Sequence, residues 1–145
     1  MSFTLTPIIS LPAGFAALAV AAEREGYDFL KRLAARWNGA SYDDDELASV
    51  WAAEEGGMLI AVGAQTYDEY DPSPLHRRVR HFYVRPDIRR EGVGRALAQQ
   101  LMLDAFELAP RLHVRATHDG SRAFWESLGF VRVTREDRSH EMVRD

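Results

Sequence analysis

A strand that stops at a proline and leads, through a polar turn with two glycines, into a long amphipathic helix is the feature that most constrains this fold. Residues 79–84 predict the strand, which Pro86 closes. Residues 93–108 carry one apolar stripe at three- and four-residue spacing, which predicts the helix. Residues 112–116 predict another short strand. A strand, a helix and a strand in this order favour a parallel crossover within one sheet.

The N-terminal region predicts one strand followed by two helices. Residues 3–9 alternate roughly between apolar and polar side chains, as in a strand. Residues 13–37 then show helical spacing of their apolar side chains, and Gly26 divides the segment into two helices.

Two further strands, at residues 47–53 and 58–66, are predicted to form a hairpin, because two adjacent glycines between them are a strong turn signal. The polar segments 38–45 and 68–74 predict loops on either side of this hairpin.

The C-terminal region predicts a short helix and two strands. The helix spans residues 121–128 and ends at Gly129, and the strands span residues 130–134 and 140–143. The whole order predicts an α/β fold of the mixed α+β kind. We expect a mostly antiparallel central sheet of about six or seven strands, flanked by about four helices on both faces.

Size and composition favour one soluble domain spanning residues 1–145. A net charge of −4 argues against a protein that binds duplex nucleic acid, which would carry a basic excess. The absence of cysteine excludes disulfides, thiolate metal sites and a cysteine nucleophile. The start of the chain lacks the pattern of a signal peptide, and the apolar run 15–22 is too short to cross a bilayer. We therefore expect a cytoplasmic protein without membrane contact.

The turn before the long helix is a candidate anion site. The first turn of a helix has unpaired N–H groups and the positive end of the helix dipole, and Gly92 and Gly94 let a phosphate approach the backbone closely. Arg89, Arg90 and Arg95 add positive charge. The alternative is a solvated loop before an ordinary helix. Neither the dinucleotide fingerprint nor the phosphate-binding P-loop fits, because position 97 is Leu and no Lys-Ser or Lys-Thr pair follows.

This turn resembles the acyl-CoA signature of the GNAT superfamily of N-acetyltransferases. That signature has Arg or Gln, two residues, Gly, one residue and then Gly or Ala, which Arg89, Gly92 and Gly94 match. The preceding strand, residues 81–86, and the segment Ala123–Phe130 also resemble the family's motifs. The predicted element order is the family's as well, so the resemblance covers the whole chain.

The resemblance implies a binding site for acetyl-CoA as co-substrate, with no metal. Backbone groups of Phe82 and Val84 are implied to pair with the pantetheine arm, and N–H groups of residues 90–95 to hold the pyrophosphate. The strands 79–84 and 112–116 are implied to splay apart and admit the cofactor. The implied cofactor-binding residues are Phe82, Tyr83, Val84, Arg89, Arg90, Glu91, Gly92, Val93, Gly94, Arg95, His118 and Phe124.

The chain departs from the family at two positions. Trp125 stands where family members often have Tyr, whose hydroxyl is implied to protonate the leaving thiolate; an indole N–H is a far weaker proton donor. His118 stands near the position of a frequent Asn and is implied to contact the cofactor. His81 and His118 are candidates for the base that takes a proton from the acceptor amine, with packed or exposed histidines as the alternative.

The side that binds the acceptor is less well marked. Asp68, Glu69 and Asp71 lie in the loop before the central strand, where an acidic rim would attract a cationic amine, and Tyr70 of the same loop is a further candidate for binding the acceptor. The alternative is a solvated turn. The three aspartates of residues 43–45 lack the pattern of a metal site. The arginines of residues 77–85 either contact the 3′-phosphate of coenzyme A or lie on a surface strand.

These observations lead to the hypothesis of an enzyme that transfers an acetyl group from acetyl-CoA to a primary amine, directly and in a ternary complex. The acceptor is expected to be an amine-bearing small molecule, a peptide or a protein. Dimers are common among proteins that resemble this one, so a homodimer is among the expected assemblies. The alternative is a non-catalytic module of the same fold that binds or senses acyl-CoA, which the Trp125 departure keeps open.

Overall fold

A mixed β-sheet organises the molecule, seen in a computed structural model that describes residues 2–39, 41–89 and 91–145. In chain order the elements are β1 (Thr4–Pro7), α1 (Phe15–Arg24), α2 (Phe29–Arg36), β2 (Trp37–Asn38), β3 (Ser41–Tyr42), β4 (Ser49–Glu55), β5 (Met58–Tyr67), β6 (His76–Val84), a 3₁₀ turn (Pro86–Ile88), α3 (Val93–Leu108), β7 (Arg111–Val114), α4 (Asp119–Ser127), β8 (Val131–Arg132) and β9 (His140–Val143). None of the helices within these ranges is both long enough and apolar enough to span a membrane.

The main sheet has the strand order β1-β4-β5-β6-β7-β9-β8, which counts seven strands in the described ranges. Every neighbouring pair is antiparallel except β6 and β7, which are parallel and connected through α3. The expected mixed and mostly antiparallel sheet with one crossover is therefore confirmed, as are the four α-helices.

Two apolar clusters cover the two faces of the sheet. On one face, α3 and Trp125 of α4 pack on the sheet through side chains such as Leu97 and Leu101, both fully buried. On the other face, α1 and α2 pack through Leu18, Leu30 and similar side chains. The helical stripes produce this arrangement, because each amphipathic helix buries its apolar side against one face.

The sequence predicted a loop over residues 38–45, but part of this segment forms strands. The short strands β2 and β3 pair with each other inside this segment. Tyr42 explains the difference: its side chain is 2% exposed within the α1–α2 cluster and anchors a segment that is otherwise polar. The predicted strand 130–134 is also shorter than expected, since β8 covers only Val131–Arg132.

The strand β6 diverges from β7 soon after it begins. The two strands pair only over His76–Arg78 and Arg111–His113, so β6 has no strand partner on that side from Val79 onward. Its pairing with β5 is interrupted by a β-bulge, because Val62 pairs with Tyr83 but Ala64 pairs with Arg80. The divergence opens one side of β6, as the sequence led us to expect.

Candidate functional site

A cavity of about 840 Å³ follows the open edge of β6. Its walls come from β6, the start of α3, the end of β7, the start of α4 and the turn between α1 and α2. Most of the residues singled out in the sequence line it: His81, Phe82, Tyr83, Val84, Arg89, Gly92, Gly94, Arg95, His118, Phe124 and Trp125. Glu91 and Val93 do not, and Val93 is instead packed in the core. Arg90 lies outside the described residues.

The first turn of α3 presents backbone donors to this cavity. Gly92 precedes the helix with φ of 86°, a left-handed conformation that favours glycine. The N–H of Ala96 donates to the Gly92 carbonyl (3.1 Å) as the helix begins, which leaves the N–H groups of Val93, Gly94 and Arg95 without helical partners. The N-cap residue is Gly92, which has no side chain to cap this end. The arrangement fits an anion such as a pyrophosphate.

Gly94 leaves the cavity free of a side chain at the start of α3. A Cβ atom at this position would lie 3.4 Å from Val84 Cγ2 and 3.5 Å from the Phe124 ring, which are ordinary contact distances. A single methyl group would therefore fit, whereas a larger side chain here would project into the cavity that Gly94 lines.

Arg89 is already bound by protein groups. Its Nε donates to the Val84 carbonyl, and its two terminal nitrogens donate to the two oxygens of Glu25, each at 2.9 Å. The Tyr83 hydroxyl also donates to Glu25. Burial alone would raise the pKa of Glu25, but the hydrogen bonds from Arg89 and Tyr83 outweigh it and lower that pKa. This cluster ties the end of α1 to the loop, so the Arg89 side chain acts in holding the loop.

The backbone of β6 alternates in the way a bound extended arm requires. The N–H of Arg85 donates to Ile60 of β5 (2.9 Å), so the amide and carbonyl of the preceding Val84 point toward the gap beside β7. Below Phe82 the sheet carries Gly63, where a Cβ would lie 2.8 Å from the Phe82 ring. Glycine thus makes room for the Phe82 side chain on the α3 face of the sheet.

Trp125 lies in an aromatic cluster. Its ring meets those of Phe124, Phe82 and Phe130 at centroid distances of 4.9, 5.0 and 5.3 Å, all edge to face. It is 4% exposed. This environment gives Trp125 a packing role, and the residue brings no hydroxyl to the cavity.

His81 is held on both ring nitrogens. Nδ1 lies 2.6 Å from the Phe29 carbonyl, which can only accept, so Nδ1 donates and Nε2 accepts from the Tyr42 hydroxyl at 3.0 Å. Burial lowers the pKa of His81 to about 3, against the weaker raising effect of the Phe29 carbonyl. The ring is neutral, and its lone pair is already used, which argues against His81 as the base.

His118 caps α4. Its Nδ1 accepts a hydrogen bond from the backbone N–H of Ser121 (3.2 Å), and its ring is exposed at the cavity. The lone pair of the neutral ring is therefore directed at the helix and not at an acceptor amine. The residue remains in position to contact a ligand through Nε2–H.

Asp68 and Glu69, two residues of the expected acidic rim, are held by protein groups and do not line the cavity. Asp68 is 1% exposed, with Oδ2 only 2.6 Å from His113 Nδ1. Burial alone would raise the pKa of Asp68, but the His113 hydrogen bond and the Arg78 charge lower it. Glu69 pairs with two arginines. Neither carboxylate lines the cavity, whereas Tyr70 does, with 60% of its surface exposed.

The cavity is basic and not acidic. Among the described residues that line it, six are arginines and one, Asp28, is a carboxylate. The arginines are Arg32, Arg78, Arg80, Arg89, Arg95 and Arg115. The basic run of residues 77–85 is visible in the sequence, but the sequence does not show which of its side chains face the cavity.

Residues 14–130 match the acetyltransferase (GNAT) family. No curated protein sequence is detectably similar to the chain.

Solved structures share the fold along almost the whole chain. A protein from Exiguobacterium sp. 255-15 that is assigned as an acetyltransferase superposes with a TM-score of 0.88 at 23% identity, covering 99% of this chain and 94% of that chain. The ribosomal-protein-S18-alanine N-acetyltransferase from Escherichia coli gives 0.64 at 21%, covering 97% and 89%. A predicted acetyltransferase from Clostridium acetobutylicum, solved with acetyl-CoA, gives 0.68 at 17%, covering 92% of each chain. At these identities the likeness shows the fold.

Proposed function

The chain belongs to the acetyltransferase (GNAT) family, and from that premise we propose that it transfers an acetyl group from acetyl-CoA directly to the primary amine of an acceptor, within a ternary complex. The observation that carries the proposal is the cavity along the open edge of β6. It connects the first turn of α3, which suits a pyrophosphate, with the surface between β6 and the α1–α2 turn, where an acceptor can enter.

Each part of the cavity has a role in this proposal. The N–H groups of Val93, Gly94 and Arg95 hold the pyrophosphate. The backbone of Phe82 and Val84 binds the extended arm as an added half-strand, and an N–H of β6 near Val84 polarises the thioester carbonyl. The C–S bond of the thioester breaks as the new amide C–N bond forms.

The protons move through solvent in this proposal. An acceptor that arrives as an ammonium loses two protons in forming the amide, one before the attack and one after it; the departing thiolate takes up one, and the other is released to solvent. The lone pairs of His81 and His118 are both used within the protein, and Trp125 offers no hydroxyl. Water in the cavity is therefore the proposed carrier for both protons. The sequence contains no cysteine, so no cysteinyl intermediate intervenes.

Calorimetric titration with acetyl-CoA tests the cofactor site. A glutamate in Gly94→Glu would place a negative charge beside the pyrophosphate, and we expect Kd to rise by about 100-fold or more. Gly94→Gln adds the same bulk without the charge, and Gln99→Glu adds the charge on an exposed position of the same helix. We expect Gly94→Gln to bind better than Gly94→Glu, and Gln99→Glu to bind as the unmodified protein does. Equal binding by Gly94→Glu and the unmodified protein would contradict the proposed site.

A turnover assay on the same protein distinguishes the enzyme from the alternative, a module that binds acyl-CoA without reacting. The absence of a hydroxyl at Trp125 and the engaged lone pairs of the two histidines favour that alternative. Release of free CoA is measured with a panel of amines and a peptide acceptor. Release that depends on an amine supports the enzyme, whereas saturable binding without any release supports the module.

A further inference from the structure

Two arginines in the cavity have buried nitrogen atoms without hydrogen-bond partners. Within the described residues, Nη1 of Arg78 and Nη1 of Arg80 are both buried and unpartnered. The side chains of these residues are only 6% and 11% exposed, and both residues line the cavity. A buried charged donor that lacks a partner is costly to the fold. Such groups are expected where a ligand completes their bonding.

The nearby carboxylates do not satisfy these two nitrogens. The nearer oxygen of Asp68 is 3.6 Å from Arg78 Nη1, beyond hydrogen-bonding distance, and the other oxygen bonds His113. Burial lowers the pKa of Arg78 more than the nearby Asp68 raises it.

Arg80 shares its carboxylate partner, Glu69, with a second arginine. Glu69 binds Arg80 through Nη2 at 2.8 Å and binds Arg36 of α2 through its other oxygen at 3.2 Å. Arg36 additionally lies 3.5 Å from Asp43. Glu69 therefore divides its charge between two guanidinium groups, and Arg80 Nη1 stays free.

The two arginines lie far from the pyrophosphate end of the cavity. Val84, Arg80 and Arg78 pair with Ala61, Ala64 and Thr66 of β5, so at about 3.3 Å per residue Arg80 is roughly 10 Å and Arg78 roughly 17 Å along the sheet from Val84, beside which the first turn of α3 packs. Arg80 projects toward α2, since it shares Glu69 with Arg36, and alternation about Val79 puts Arg78 on the same face of the strand. The phosphates of coenzyme A would bind at the other end, so these arginines belong to the acceptor's end.

We infer that the acceptor is an amine that also carries an anionic oxygen group, a carboxylate or a phosphate, bound by Arg78 and Arg80. This inference rests on the proposed function and names its substrate class. Tyr70 forms one wall of the subsite: the Arg78 guanidinium lies 4.9 Å from the centre of its exposed ring. Each unpartnered Nη1 group is a charged donor, so the oxygens of a carboxylate or a phosphate would form charge-assisted hydrogen bonds with these groups.

Kinetics with matched amines tests the inference. The panel pairs an amino acid with its amide, and with the aminoalkylphosphonate that replaces its carboxylate. We expect kcat/KM to be at least about tenfold higher for an anionic acceptor than for the amide; the better of the two anionic acceptors tells carboxylate from phosphate. Arg80→Gln should bring the ratio of anionic to amide acceptor close to one while leaving the Kd of acetyl-CoA unchanged. Arg80→Lys should restore part of the ratio.

The control is Arg132→Gln, an exposed arginine of β8 outside the cavity, which should keep the full ratio. Arg80 carries the test because Arg78 also donates to the Asp137 carbonyl, so its loss could disturb the fold. Equal rates with acid and amide, or a preference that survives in Arg80→Gln, would overturn the inference.

A binding experiment separates this inference from the proposed function. The CoA-loaded protein is titrated by calorimetry with an N-acetyl amino acid, its amide and an N-acetyl aminoalkylphosphonate, which requires no turnover. Binding of an anionic ligand that is at least about tenfold tighter than that of the amide, and lost in Arg80→Gln, supports the subsite even if no amine is acetylated. Equal or absent binding of all three ligands contradicts it, even if amines react.

Discussion

His81 combines an unusual backbone conformation with a buried, hydrogen-bonded side chain. Its φ of 54° lies in the left-handed region, which few residues other than glycine, asparagine and aspartate adopt. The bulge of β6 imposes this conformation, and the hydrogen bonds to Phe29 and Tyr42 hold the ring. A residue that looks like a base in the sequence is thus part of the link between β6, α2 and the β2–β3 hairpin.

The stability of the protein should depend on pH through this histidine. The unfolded ring has a pKa near 6.5 and the folded ring one of about 3. The unfolded state therefore binds more protons between these values, so this contribution is complete above about pH 6.5 and is lost as the pH falls toward 3. We expect a slope in the free energy of unfolding of up to about 1.4 kcal/mol per pH unit.

His81→Asn tests this expectation, because asparagine tolerates the left-handed backbone and does not titrate. Denaturant unfolding at several pH values from 7.5 to 4.5 should show a shallower loss of stability in the variant than in the unmodified protein. Other groups titrate in both proteins and cancel in the difference. Parallel pH curves for the two proteins would show that His81 is not held neutral.

Among single residues, the sequence identified the glycines of the loop but not the partners of the arginines. Gly92 and Gly94 are recognisable because their spacing at a helix start, together with Arg89, resembles the family's acyl-CoA signature, whereas the glycine pair alone would also fit a solvated loop. The engagement of Arg89 by Glu25, 64 residues away in the chain, left no local signal. Asp68 appeared to belong to an acidic rim because a carboxylate in a loop is normally solvated, and only the tertiary structure brings it to His113.

At the scale of the element, β6 belongs to the sheet on one side and to the cavity on the other. The alternation of residues 79–84 predicted the strand, and the crossover predicted its parallel neighbour. The bulge was not predictable, because Arg80-His81-Phe82 contains no glycine to mark it. Its cause lies in the pairing with β5, where Gly63 admits the Phe82 ring.

Hydrogen exchange should report the open edge of β6. The N–H of Val84 points toward the gap beside β7, and Phe82 lies at the bulge without a register partner on β5, so we expect both amides to exchange faster than those of the central β5 strand in the free protein. Saturating acetyl-CoA should slow both by about tenfold or more, because they would then donate to the bound arm. Amide exchange followed by NMR gives the rates, with Ala61 and Val62 of β5 as internal controls. Unchanged rates at Phe82 and Val84 would place the arm elsewhere.

On the scale of the whole molecule, one sheet separates two apolar clusters, and the cavity borders both. Trp125 and Phe124 reach it from the α3–α4 side, and Phe29 and Tyr83 from the α1–α2 side. A ligand in the cavity would therefore contact both clusters at once. We expect the chain to unfold as one cooperative unit, because a ligand and a sheet that contact both clusters would couple them.

Thermal unfolding with and without acetyl-CoA tests this expectation. At a ligand concentration 100 times Kd, binding adds about 2.7 kcal/mol to the free energy of unfolding, which raises Tm by roughly 5 to 10 °C for a chain of this size. In each condition, near- and far-ultraviolet circular dichroism should give the same midpoint as each other, and both midpoints should rise when acetyl-CoA is added. Two separate transitions, with only one of them shifted by the ligand, would show that the two sides of the sheet unfold independently.

The β-bulge of β6 also limits how this strand can change in evolution. Before it, the odd-numbered Val79 faces the α3 cluster, and after it the even-numbered Phe82 and Val84 do. At its present length the strand needs the bulge, because regular alternation through positions 79–82 would reverse its upstream part and turn Arg78 and Arg80 into that apolar cluster. Loss of one residue at the bulge would instead restore regular pairing with β5 and leave both arginines on their present face. Descendants of this gene can therefore shorten the strand by one residue at the bulge, but they cannot straighten it at constant length without moving the subsite to the other face of the sheet.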